Sequence, residues 1–133
     1  MLSILNMNVC HLNINLKSIL IDENDENLIK IYDFKYSQYY YAKFKTTSEN
    51  VGTNLLTPEM FSLGSYFPEL ADLWSCGILL IYLLTGEFPI NSNNDLDIDK
   101  RYIVPSDINE NLQDLLKNIL FIDVYKSIDS MMW

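Results

Sequence analysis

The stretch 70–84 is almost wholly apolar, and it constrains the fold more than any other part of the chain. Its unbroken apolar run, 78–84, falls well short of the roughly 18 residues that a membrane span needs, and its first half carries Asp72, Ser75 and Gly77. A helix that is apolar on all sides belongs in the middle of a domain, where every side is covered. The pattern predicts a central buried helix over about 69–85. Pro68 and Glu69 suit its first turn, and Thr85-Gly86 with Pro89 just beyond makes an orderly stop.

The chain has 133 residues, of which 49% are hydrophobic, so it can bury a core as one domain and is too apolar for a disordered segment. A net charge of −9 argues against nucleic acid, whose phosphates need a basic face, and against docking on an anionic membrane. Cys10 and Cys76 lie in apolar surroundings and read as buried thiols; with His11 as the single histidine, most metal constellations are excluded. The segment 1–9 is apolar but has neither a basic n-region nor a small-residue cleavage site, so a cytoplasmic protein without a membrane span is expected.

Two short β-branched runs, 18–22 and 28–32, flank the acidic stretch 22–27 and predict a hairpin with a longer loop. From 33 to 57 no period is sustained, which reads as a long loop, functional or disordered, and Pro58 opens a short helix after it. A polar linker covers 91–99. Pro105-Ser-Asp107 then leads into a last helix, about 107–120, with Leu112, Leu115, Leu116, Ile119 and Leu120 on one face. Ser106, Asn109 and Glu110 give only a loose capping signal there. The expected architecture is mainly α with one small β-hairpin.

Four blocks, in order, resemble motifs of the eukaryotic-type protein kinases. His11-Leu-Asn-Ile-Asn-Leu-Lys-Ser18-Ile-Leu-Ile-Asp22 is similar to a catalytic loop, 11–22. Asp33-Phe34-Lys35 is similar to D-F-G at 33–35, and Gly52-Thr53 with Thr57-Pro58-Glu59 to the end of an activation segment spanning 33–59. Asp72-Leu-Trp74-Ser75-Cys-Gly77, continuing to Leu83-Leu-Thr-Gly86, resembles the D-x-W-S-x-G helix of Ser/Thr kinases. The resemblance implies that 1–133 is a partial kinase-like domain: a C-terminal lobe without its N-terminal lobe.

The departures matter because phosphoryl transfer is mostly positioning and charge neutralisation. Asn13 stands where the family carries the catalytic Asp that accepts the substrate hydroxyl's proton, and Asn15 where it carries the lysine that meets the transferring phosphate. Ser18 replaces a Mg²⁺-binding asparagine, Leu12 an arginine, and Lys35 the glycine of D-F-G, from where its ammonium would compete with a metal. Asp33 remains, either as a Mg²⁺ ligand or as a turn aspartate. The resemblance gives His11, Glu59, Asp72, Trp74 and Gly77 structural parts. Asp72 would hold the backbone of the catalytic loop, the alternative being an acid that merely suits a first helical turn. Glu59 would lack its arginine, since Ser127 stands at the matching position. Thr46, Thr47 and Ser48 stand where phosphosites often lie but read as ordinary loop hydroxyls.

The leading expectation is therefore a pseudokinase-like module that binds a protein partner and needs no cofactor. The alternatives are a piece of a Ser/Thr protein kinase, which would use Mg-ATP, and a decayed gene fragment.

Overall fold

The computed structural model describes residues 8–39, 46–47, 65–87 and 104–120. The chain divides into two compact units, Met1–Ser75 and Cys76–Trp133.

In the first unit the β-branched runs form strands β2 (Ile19–Ile21) and β3 (Ile29–Ile31), antiparallel, with Ile19 opposite Ile31 and Ile21 opposite Ile29. The loop between them closes on itself. Asp22 Oδ1 accepts from Asn24 N at 3.0 Å and Asp25 Oδ1 from Asn27 N at 3.0 Å, which are the side-chain turns that make aspartate favourable in loops. Lys30 Nζ meets Asp22 at 2.8 Å and, with the Asn24 amide, holds that carboxyl below its usual range.

The stretch expected to be a featureless loop is more ordered than its sequence suggests. It contains a 3-10 turn, Phe34–Tyr36, then β4 (Gln38–Tyr39) and β5 (Thr46–Thr47). Strand β4 pairs antiparallel with β1 (Val9–Cys10), and β5 with β6 (Ser65–Tyr66). Two-residue strands are too short to show a period of two, so pairing between distant segments decides them. Among the described residues there are thus three two-stranded sheets instead of one hairpin. The short helix expected at Pro58, and the linker 91–99, lie outside the described residues.

The core of this unit gathers Cys10, Leu12, Tyr66 and Ala71, with Tyr36 packed against them. Among the described residues the Tyr66 hydroxyl is buried without a hydrogen-bond partner. Burial, reinforced by nearby Cys10 and Asp72, pushes its pKa to about 12.

Helix α1 runs Pro68–Thr85. It ends where Gly86 takes φ 77°, a left-handed turn that costs a residue without Cβ little, and Gly86 N returns to Tyr82 O at 2.7 Å. By length and composition alone α1 could cross a membrane. Its Trp74, Ile78 and Ile81 are buried in the protein, and Asp72 on the same helix is bonded to loop backbone.

In the second unit α2 spans Glu110–Leu120, starting three residues later than the sequence suggests. Asn109, not Ser106, caps it: its Oδ1 accepts from Asn111 N at 2.9 Å, and Gln113 Nε2 donates to the carbonyls of Ser106 and Ile108. Those side-chain bonds satisfy the lead-in 106–108 without helix. Leu116 and Leu120 are buried and Leu115 is exposed, so the apolar face is narrower than expected.

Gly77 lets α1 approach α2 closely. A Cβ there would lie 2.7 Å from Ile119 Cγ2 and 3.0 Å from Leu120 Cδ2. Overpacking costs about 1–3 kcal/mol, against about 1 kcal/mol gained in helix propensity. Gly77→Ala is therefore expected to destabilise by about 1 kcal/mol. In an Ile119→Ala background the nearer clash is gone and the Leu120 contact remains, so the same change should cost less; chemical denaturation of the four variants checks that coupling.

Candidate functional site

The loop 11–18 is built from backbone amides aimed at side chains. His11 N donates to Asp72 Oδ2 at 2.6 Å and Leu12 N to Oδ1 at 2.8 Å. One carboxylate therefore takes two successive amides from a segment some sixty positions away; it serves the loop and not its own helix end. Leu12 has φ 60°, a left-handed conformation that strains a residue with Cβ, and its side chain is buried. The paired amide bonds and the buried leucine hold that strain in place. Burial raises the Asp72 pKa above its ordinary value, against the opposing pull of the two amides and of His11.

His11 is itself buried and uses both ring nitrogens. Asn13 N–H can only donate, so Nδ1 accepts it, at 3.2 Å; the proton then sits on Nε2, which donates to Tyr32 O at 2.9 Å. The ring stands edge-on to Phe34 with centroids 4.8 Å apart, and Ser37 Oγ donates to His11 O at 3.3 Å. Through these contacts His11 ties the loop to the segment that leaves β3.

Beyond it the loop closes on itself. Asn15 caps the 3-10 turn Leu16–Ser18: its Oδ1 accepts from Lys17 N at 2.8 Å, and its Nδ2 donates to Asn13 O at 2.7 Å. Ser18 Oγ accepts from Asn15 N at 3.0 Å and donates to Asn15 O at 2.9 Å. Such a reciprocal box satisfies the donors that a turn start leaves open. Ser18 is 1% exposed, so its hydroxyl is spent inside the protein.

Asp33 is exposed, with φ 66° and ψ 62°, and its side chain makes no capping bond to the turn that follows. Lys35 Nζ lies 5.3 Å from the centroid of the Tyr36 ring, a cation–π contact that directs the ammonium to its neighbour's ring. Among the described residues no group of three or more His, Cys, Asp or Glu could hold a metal.

Trp74 is buried, and Ser75 Oγ returns to Ala71 O at 2.9 Å, the back-bond that lets a hydroxyl sit inside an apolar helix. Cys10 is buried and its pKa is pushed up to about 12 by burial, with the charges of Asp72 and Glu69 adding to it. That makes it an inert thiol. Cys76, expected to be buried, is only partly so. Glu59, Ser127 and Ser48 lie outside the described residues, while Thr46 and Thr47 are in β5.

The structure thus brings together His11, Asn13, Asn15, Ser18 and Asp72. The capping role of Asn15 and the anchoring carbonyl of Tyr32 were not anticipated from the sequence. Asn15-x-x-Ser18 is a legible capping box, but no residue type marks a backbone carbonyl as a partner.

Residues 2–130 match the family described as protein kinase domain. The serine/threonine-protein kinase SAPK4 of Oryza sativa subsp. japonica is 36% identical over 90 residues, which is 67% of this chain and 25% of that protein. SRK2B of Arabidopsis thaliana is 36% identical over 92 residues, again 67% of the chain and 25% of that kinase. The probable serine/threonine-protein kinase HSL1 of Saccharomyces cerevisiae is 30% identical over 126 residues, 91% of the chain but 8% of its own length. The chain spans a quarter or less of these relatives.

Proposed function

This chain belongs to the protein kinase domain family, and from that premise we propose that it is a C-terminal-lobe-like module that keeps the frame of the catalytic loop without the chemistry, and works by binding a protein partner. One observation carries this reading. Asn15 and Ser18, which stand at the positions of the phosphate-contacting cation and the metal-binding amide, spend their side chains on the loop backbone. Asn13, at the position of the base, is an amide whose backbone carbonyl accepts from Asn15 Nδ2. A general base must offer a basic lone pair to the substrate hydroxyl, and an amide has none. A Mg²⁺ ion demands several well-placed oxygen ligands. Here Ser18 Oγ already makes two hydrogen bonds, and Asp33 at the turn out of β3 is exposed. Among the described residues these groups do not fit Mg-ATP. We place the protein in the cytoplasm on the same reading.

A second reading is a piece of an active serine/threonine kinase. What favours it is the 36% identity to relatives named as such kinases.

The test is phosphoryl transfer from radiolabelled Mg-ATP to a panel of Ser/Thr and Tyr peptides and to the chain itself. The expected result is no incorporation by the native chain, and none gained by Asn13→Asp, because the metal and phosphate contacts are missing as well. Incorporation by the native chain that Asp33→Asn abolishes would establish the second reading.

A further inference from the structure

Helix α1, expected to be covered on every side, is covered on one. Of its residues 44% are buried. Trp74, Ile78 and Ile81 face the protein, whereas Leu73, Leu83 and Leu84 are 38%, 65% and 42% exposed. Between them Cys76 and Leu80 are half-buried. Positions 73, 76, 80 and 83–84 follow one another by steps of three and four, so they lie along one stripe of the helix. From Leu73 to Leu84 this lane is about 16 Å long. An apolar stripe of that length, open to water, marks an interaction surface.

The charges at its two ends decide what can lie there. Glu69 stands in the first turn, one step of four before Leu73, and the exposed Glu87 follows the last turn. That last turn carries no basic residue, so Glu87 adds to the negative end of the helix dipole instead of offsetting it. A second copy laid along the lane, parallel or antiparallel, sets glutamate against glutamate at both ends, and like charges across an interface are costly. The net charge of −9 disfavours an anionic membrane in the same way. A partner of opposite charge is favoured instead. Steps of three and four along one helix are matched by apolar residues that recur every 3.5 positions on another. Helix α1 already takes α2 at close range across Gly77.

We propose that the open side of α1 is a docking lane for an amphipathic helix of a partner protein. Apolar side chains at heptad spacing lie on Leu73, Leu80, Leu83 and Leu84, and arginine or lysine at each end meets Glu69 and Glu87. The proposal rests on the reading of the chain as a binding module, and it gives that module a surface and its partner a chemistry.

The probe is a fluorescein-labelled, lactam-bridged helical peptide with leucines at the a and d positions of its heptads and arginines at both ends. It is titrated into the full chain and followed by anisotropy. The chain binds it, and salt weakens the binding. Leu83→Ser with Leu84→Ser lowers the affinity about tenfold or more. Glu69→Gln with Glu87→Gln lowers it about threefold and flattens the salt dependence. Leu28→Ser, which removes an exposed leucine outside α1, leaves it unchanged. Circular dichroism checks that the variants keep the helical signal. The glutamine pair removes no apolar residue, so it decides the matter if the serine pair does not fold. The proposal is overturned if the peptide does not bind, if a version with glutamates for its arginines binds as tightly, or if neither pair changes affinity. It is also overturned if Leu28→Ser costs as much as the serine pair. A dimer in sedimentation that the serine pair dissociates overturns it too, as does flotation of the chain with phosphatidylcholine vesicles that the serine pair abolishes. Phosphoryl transfer in the assay above would undo the module reading and leave peptide binding measurable. No binding and no phosphoryl transfer would remove the lane alone.

Discussion

Asp72→Ala should lower the stability of the chain by about 2–4 kcal/mol, a large share of what a domain of this size has. Two amide N–H groups, His11 and Leu12, lose their acceptor at once. A buried donor left unmade costs about 1–3 kcal/mol. The sum is reduced because the carboxylate itself is held in the protein at a cost, as its raised pKa records. Asp72→Asn is expected to lie in between, at about 1–3 kcal/mol: one oxygen can accept, but the amide nitrogen then faces the other N–H. The pH dependence has a definite sign. The folded pKa of Asp72 lies above the model-compound value of 3.8, so the folded chain binds the proton first as pH falls. The contribution of this group is fully present below pH 3.8 and is lost as pH rises through the folded pKa. Asp72→Asn should therefore remove a component of stability that increases on acidification across that window. Urea denaturation of both variants between neutral pH and pH 4 measures this.

His11→Phe isolates the second large effect. Phenylalanine keeps a ring of similar size, and with it the edge contact to Phe34, but it can neither accept from Asn13 N nor donate to Tyr32 O. With the site buried, the two orphaned backbone groups predict a loss of about 2–4 kcal/mol. His11→Gln, which has both an acceptor and a donor, should recover part of it. A loss for phenylalanine within about 0.5 kcal/mol of zero would mean that packing alone gives His11 its place. Amide exchange at Asn13 should accelerate in His11→Phe and stay near native in His11→Gln.

The sequence is most legible where the pattern is long or dense. The 18-residue helix Pro68–Thr85 was readable because apolar residues fill it from a proline start to a glycine stop. The hairpin was readable because isoleucines sit on either side of an acidic turn. The entry to α2 was misplaced by three residues because Pro105-Ser-Asp107 advertises a start, whereas Asn109 makes the bond that begins the helix. Strands β4, β5 and β6 were not legible, since two residues carry no period and the partners are distant in sequence.

The site was half legible. A polar residue in the apolar helix demanded a partner, and the resemblance named the loop backbone as that partner; the two amides on Asp72 are what the structure shows there. The internal bonding of the Asn15 and Ser18 side chains was not anticipated, because residue type alone tells what a side chain has lost and not what it has joined. The same holds for Lys35, expected to stand against a metal and found over the Tyr36 ring.

The central claim is that this loop has the frame of a kinase catalytic loop and no place for the nucleotide. The most direct measurement is the thermal midpoint of the full chain with and without millimolar Mg-ATP. A ligand at a hundred times its Kd stabilises a fold by about 2.7 kcal/mol, which in a domain of this size moves the midpoint by several degrees. We expect no shift, with Mg²⁺ or without it. A rise of several degrees that needs Mg²⁺, and that Asp33→Asn abolishes, would contradict the account.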